Sequence, residues 1–126
     1  MIEPAEYRGV VFALEPMRNA LEEIKPLHQA HWDELVELRP EGEFKPDYER
    51  FMRLESVGSA ILVTARARGE LIGYCQYYMN SHPYTQERYA SSDVVYLKRE
   101  FRDGWVGVAL FNYAHKVLKW CGVRRV

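Results

Sequence analysis

This chain lacks most of the features that place a protein quickly. It has two cysteines in 126 residues, Cys75 and Cys121, with no CxxC or Cys/His spacing. That excludes a disulfide framework and a zinc finger, and leaves two small, buried, reduced side chains as the reading. No apolar run is long enough to span a bilayer. The start, Met-Ile-Glu-Pro-Ala-Glu, has neither the basic nor the apolar region of a signal peptide, so a cytoplasmic setting is expected. No internal repeat, low-complexity tract or linker divides the chain. Excess charge is absent as well. The formal net charge is -1, which gives no general pull toward nucleic acid or an anionic membrane. An anion site, if there is one, must be local.

What is present is ordinary soluble composition, 48% apolar and 28% charged, in a length that suits one domain with a modest core. Gly9–Leu14 reads as a first strand, closed by Glu15-Pro16. Met17 to Leu38 has helical spacing, with Leu21, Ile24, Leu27, His31, Leu35 and Leu38 on one stripe. Pro26 inside it predicts a kink or two helices. After the loop Arg39 to Gly42, Pro46 suits the first position of a short helix ending before Gly58. Ser59–Ala65 and Leu71–Met79 read as a hairpin around Arg66–Glu70. Asn80 to Ala90 reads as a polar loop, Ser92 to Leu97 as a third strong strand.

The richest stretch runs from Asp93 to Cys121. A short apolar strand leads into a charged turn with two glycines, then an amphipathic helix. Val106, Leu110, Ala114, Val117, Leu118 and Cys121 form its inner face, His115 lies on the solvent side, and Gly122 caps it. Such a turn aims backbone N–H groups and a helix N-terminus above the strand end, a setting that binds phosphate. The arginine heading the turn and the strand beside it suggest a phosphate with a long tail. Val123 to Val126 reads as the start of another strand, which would make a parallel pair by a right-handed crossover. The fold class is therefore α/β or α+β, with a mixed sheet flanked by helices.

At this point a resemblance can be stated. Leu71 to Val126 resembles the acyl-CoA-binding half of the GNAT superfamily of N-acetyltransferases. The signature there is a strand, a Pro-Glu-Tyr-Arg-like turn, an Arg-x-x-Gly-x-Gly loop and a helix. Here the turn is Arg99-Glu-Phe-Arg102 and the loop is Arg102-Asp-Gly-Trp-Val-Gly107. Upstream, His31-Trp32-Asp33-Glu34, Asp47-Tyr48-Glu49-Arg50-Phe51, Gly69-x-Leu71-x-Gly73-Tyr74 and His82-Pro-Tyr84 resemble a phage-associated branch. In two ways the chain departs from the pattern. Gly104 lies one place early, with Trp105 in the usual glycine position, and the chain stops at Val126 before the family's last strands. The resemblance thus implies one incomplete domain over residues 1–126, with a mostly antiparallel sheet.

It also implies acetyl-CoA as cosubstrate, no metal, and transfer of an acetyl group to a primary amine in a direct ternary complex. Val95, Tyr96 and Leu97 would pair with the pantetheine arm. The N–H groups of Asp103, Gly104, Trp105, Val106, Gly107 and Val108 would hold the pyrophosphate, with Arg102 nearby. Asp103 points to solvent or caps the helix. His82 has the best ordinary pKa for a base. Asp93 would fix the loop or the substrate ammonium, and Tyr84 or Tyr89 would act as the acid. His31, Trp32 and Glu34 would border the acceptor pocket. His28 and His31 have the spacing of two metal ligands but no third, which favours packing. Tyr74, Tyr77 and Tyr78 read as sheet packing. The open last strand suggests a homodimer. The other reading is a non-catalytic remnant or interaction module that retains coenzyme A binding. A nucleotide-binding protein is disfavoured, because the Lys-Ser/Thr of a P-loop and a Rossmann glycine triplet are both missing.

Overall fold

A computed structural model describes residues 2–35 and 41–124, with Ser92 and Asp93 described by their backbone alone. Five strands form one sheet in the order β1-β2-β3-β4-β5: β1 Ala5–Tyr7, β2 Val10–Glu15, β3 Ala60–Ala67, β4 Glu70–Ser81 and β5 Arg88–Leu97. All four pairings are antiparallel. Helices α1 (Met17–Glu34) and α2 (Tyr48–Ser56) cover one face, and α3 (Val106–Trp120) covers the other. The α+β class with an antiparallel sheet flanked by helices is thus as expected.

Period-2 alternation sorts β3 and β4 between the two layers. Ile61, Val63, Ala65, Cys75 and Tyr77 pack toward α3 with Leu110, Ala114 and Val117. Leu62, Tyr74 and Tyr96 pack toward α1 with Met17, Ala20, Ile24 and Leu27. Cys75 is fully buried and Cys121 half-buried, and neither is in a disulfide. Burial pushes the Cys75 thiol up to about 12, so it stays protonated. Among the three strand tyrosines, Tyr74 and Tyr77 are buried and Tyr78 packs on Phe51.

Several boundaries differ from those read in the sequence. Strand β1 was not expected. It turns into β2 through Arg8 and Gly9, both at positive φ (49° and 82°), the geometry of a two-residue hairpin. Helix α1 is one helix rather than two. Pro26 sits on its exposed side, where water can satisfy the carbonyl that proline leaves without a donor. Helix α2 starts at Tyr48 behind Asp47, whose side chain accepts from the Arg50 N–H, so Pro46 lies outside it. The polar loop after β4 shrinks to residues 82–87, because β4 and β5 continue pairing out to Ser81 and Arg88.

The expected parallel pair does not appear among the described residues. Gly122 (φ 84°) ends α3 in a Schellman turn, with the N–H groups of Gly122 and Val123 on the Lys119 and Leu118 carbonyls. Arg124 then donates its N–H to the Arg88 carbonyl at 2.9 Å, on the outer edge of β5. Leu38, Arg125 and Val126 lie outside the described residues.

Candidate active site

The β4–β5 ladder closes with the Lys98 N–H on the Ile72 carbonyl at 2.8 Å. The chain then makes a 3-10 turn, Arg99–Phe101, and Gly104 takes φ 80° before Trp105 leads into α3. A left-handed residue there needs glycine, because a Cβ at that φ meets the following carbonyl. The consequence is a row of donors. Among the described residues, no carbonyl or side-chain oxygen accepts from the N–H groups of residues 103–108. Helix termini always leave four such donors, here residues 105–108, and the turn adds Asp103 and Gly104 in sequence. Asp103 is exposed and makes no cap bond. The Trp105 indole is 65% exposed and does not fill the turn.

Arg102 is occupied. Its Nε donates to the Leu97 carbonyl at 2.6 Å, and a terminal nitrogen donates to both Glu34 oxygens at 3.0 and 2.8 Å. The guanidinium also lies 5.3 Å from the Tyr96 ring centroid. Arg102 therefore ties the end of α1 to β5. The same pairing, chiefly the hydrogen bond from Arg102, holds the Glu34 carboxyl below the usual carboxylate range.

Register decides what β5 can offer. The ladder bond at Lys98 puts the backbone groups of Tyr96 and Val94 toward β4, since they alternate along a strand. Val95 and Leu97 therefore present their N–H and C=O groups at the outer edge, where Arg102 covers the Leu97 carbonyl. Asp93 is the extra residue of a bulge: Val94 pairs with Gln76 and Ser92 pairs with Tyr77. The segment expected to pair with an extended amide chain thus divides, with Val95 and Leu97 placed to do so and Tyr96 turned inward.

On the α1 face beside the bulge lies a cavity of about 190 Å³, lined by His28, His31, Trp32, Phe44, Gln76 and Val94 among others. His28 bridges Gln76 Oε1 (2.5 Å from Nε2) and the Tyr48 hydroxyl (2.9 Å from Nδ1). A Gln oxygen only accepts, so Nε2 carries a hydrogen, and with Nδ1 bare the Tyr48 hydroxyl is the donor to it. His31, one turn on, is half-buried with its ring 5.1 Å from that of Tyr96. Burial lowers its pKa; Glu34 opposes that and Arg102 adds to it. A second cavity, about 630 Å³, lies further along α1 and includes Glu23, Glu34, Glu70 and Glu100.

His82 and Tyr84 are elsewhere. They sit at the exposed β4–β5 hairpin tip, with Tyr84 90% exposed and its N–H on His82 Nδ1 at 3.2 Å. At roughly 3.3 Å per residue, β5 separates this tip from the bulge by about 17 Å and from the amide row by about 30 Å. The structure does not bring these two together with Val95 and Leu97. Tyr89 is at the same end, 38% exposed. The residues that do converge on the bulge, His28, Tyr48 and Gln76, carried a signal only in part. His28 showed in its spacing to His31, and Gln76 is a polar residue inside an apolar strand.

The sequence model of the acetyltransferase (GNAT) family matches residues 24–126. The chain belongs to the GNAT acetyltransferase family. No curated relative matches it. Among solved structures, this GNAT chain is similar to a ribosomal-protein-alanine N-acetyltransferase from Brucella melitensis biovar Abortus 2308, at 23% identity and TM-score 0.72. The match covers 93% of this chain and 76% of that one. It is also similar to an aminoglycoside acetyltransferase from an uncultured soil metagenomic sample, at 13% identity, TM-score 0.69, and 94% and 75% coverage. Glucosamine-6-phosphate N-acetyltransferase from Arabidopsis thaliana matches at 14% identity and TM-score 0.60, over 91% and 79%. At these identities the likeness is one of fold. Membership of the GNAT family carries with it acyl transfer as the general chemistry.

Proposed function

We propose that the protein is an N-acetyltransferase that moves the acetyl group of acetyl-CoA directly to a primary amine bound in the same ternary complex. One observation carries the reading. Among the described residues, six successive amides without acceptors, at residues 103–108, adjoin a strand edge that presents Val95 and the Leu97 N–H outward, with the Leu97 carbonyl covered by Arg102. The amides suit a diphosphate. The strand edge suits a chain of amides, which pairs with it like an added strand.

Within that reading each group has a task. The N–H groups of Asp103 to Val108 hold the diphosphate, and Gly104 gives the turn its shape. The outward N–H of Val95 is the donor nearest the bulge and polarises the thioester carbonyl. Arg102 acts at one remove: by covering the Leu97 carbonyl and gripping Glu34, it fixes the strand end against α1. Asp93 holds the bulge position. His82 and Tyr84, the base and acid favoured by residue type, stand too far along β5 to reach that carbonyl.

Acetyl-CoA binding by isothermal titration tests the first half, and release of free thiol with a panel of amines tests the second. The reading expects saturable binding and amine-dependent thiol release. Binding without release on every amine supports a non-catalytic module instead. Two further parts of the proposal are a cytoplasmic setting, in keeping with two reduced cysteines, and a homodimer. Sedimentation showing one monomeric species overturns the dimer.

A further inference from the structure

We propose that His31 is the general base of this chain, and that the cavity it lines receives an amine carried on a flat, apolar body. The inference rests on the acetyl-transfer reading above and names its acceptor class and proton acceptor.

The cavity is built rather than incidental. Its walls include Trp32, Leu35, Phe44 and Val94, with Trp32 and Phe44 rings 5.2 Å apart. Its volume of about 190 Å³ exceeds the roughly 150 Å³ that suffices for a benzene ring. Among the described residues, the polar lining is His28, His31 and Gln76. An arylalkyl amine finds apolar walls and a polar end there. That end is near the thioester end of β5, since Val94 pairs with Gln76 beside the bulge and Val95 follows at the outer edge.

Of the two histidines, His31 is the one available. His28 has both ring nitrogens engaged by Tyr48 and Gln76. Neither nitrogen of His31 has a hydrogen-bond partner among the described residues, and the ring lies against Tyr96 of β5. The charged groups facing it are Glu34 from its own helix and Arg102 from the turn after β5; Glu34 favours the imidazolium and Arg102 opposes it. With burial the largest influence, the ring is neutral at pH 7 and free to take a proton.

The acceptor ammonium gives one proton to His31, which passes it to solvent after the reaction. The neutral amine attacks the carbonyl carbon, so a C–N bond forms and the C–S bond breaks. The electron pair of that bond leaves on sulfur, and the second amine proton completes the free thiol.

The test uses the whole chain and the variant His31→Gln. Acetyl-CoA binding should be unchanged in the variant, which separates this inference from the parent reading. With phenethylamine as acceptor, kcat/KM should fall about a hundredfold or more, the range expected of a lost general base. In the unaltered protein kcat/KM should rise with pH through a value below 6.5, and the variant should lose that rise. Independently of turnover, phenethylamine should shift the His31 imidazole resonance. Phenethylamine should also outperform spermidine. A variant with an unchanged pH profile, a His31 resonance unmoved by phenethylamine, or thiol release with spermidine alone overturns the inference. Failure of acetyl-CoA to bind overturns the parent reading instead.

Discussion

The two ends of β5 carry similar kinds of residue and opposite kinds of backbone. At the hairpin tip, the His82 N–H donates to the Glu87 carbonyl, the Gln86 N–H to the His82 carbonyl, and the Glu87 N–H to Thr85 Oγ1. The tip closes largely on itself. At the other end, six N–H groups in a row find no acceptor among the described residues, beside a strand edge where Arg102 covers the Leu97 carbonyl and the Val95 groups face outward. A run of backbone donors in a turn that leads into a helix N-terminus is a setting that suits an anion. A histidine and a tyrosine two residues apart mark very little. The comparison teaches that donor inventory locates this site better than residue type does.

The comparison can be broken most forcefully at Gly73, which passes under the working end of β5. A Cβ there meets Leu97 Cδ1 at 2.7 Å and the Tyr96 carbonyl at 2.8 Å, and the backbone oxygen cannot swing aside. Gly73→Ala should cost about 1–3 kcal/mol of stability, read as a lower Tm, with faster amide exchange at residues 95–97 than at residues 88–90. Next is Gly104→Val. Its left-handed φ of 80° is strained for a branched side chain by about 1–2 kcal/mol, so acetyl-CoA affinity by titration should weaken by about tenfold or more.

Glu34→Gln sharpens the picture with a smaller effect. The Glu34–Arg102 pair is partly exposed, 27% and 39% at the side chains, so its loss should cost less than about 1 kcal/mol at neutral pH. Because the carboxyl is held below its ordinary range, its contribution is complete above the unfolded pKa and disappears as pH falls through the folded value. The Tm gap between variant and unaltered protein should therefore close on titration from pH 7 to about pH 3. Smallest of all should be His82→Ala with Tyr84→Phe. Thiol release should remain unchanged within about twofold, as for surface substitutions in general. A large loss there would return the chemistry to the hairpin tip.

How much of this was visible in the sequence varied by physical cause. The apolar runs of β3 and β4 and the inner stripe of α3 were plain, because burial on both sides of a sheet leaves little choice of residue. Strand β1 was not, being three residues with two exposed. Pro26 suggested a break that does not occur, since it lies off the apolar stripe and the carbonyl it leaves free faces water. The ends of β4 and β5 looked like loop because pairing at an exposed hairpin places few demands on side chains. The amide row was legible through Gly104 and the charged turn. The His28–Gln76 contact was not, as those residues meet across 48 positions of chain. Arg102 showed its type but not its partner; Glu34 lies 68 residues away.

The claim beneath all of this is that the amides of residues 103–108 grasp the diphosphate of acetyl-CoA. Backbone amide resonances followed while acetyl-CoA is added test it most directly. The account predicts large shifts at residues 103–108 and at Val95 and Leu97, with residues 82–87 unmoved. Shifts confined to the hairpin tip, or none at residues 103–108 under saturating ligand, would contradict it.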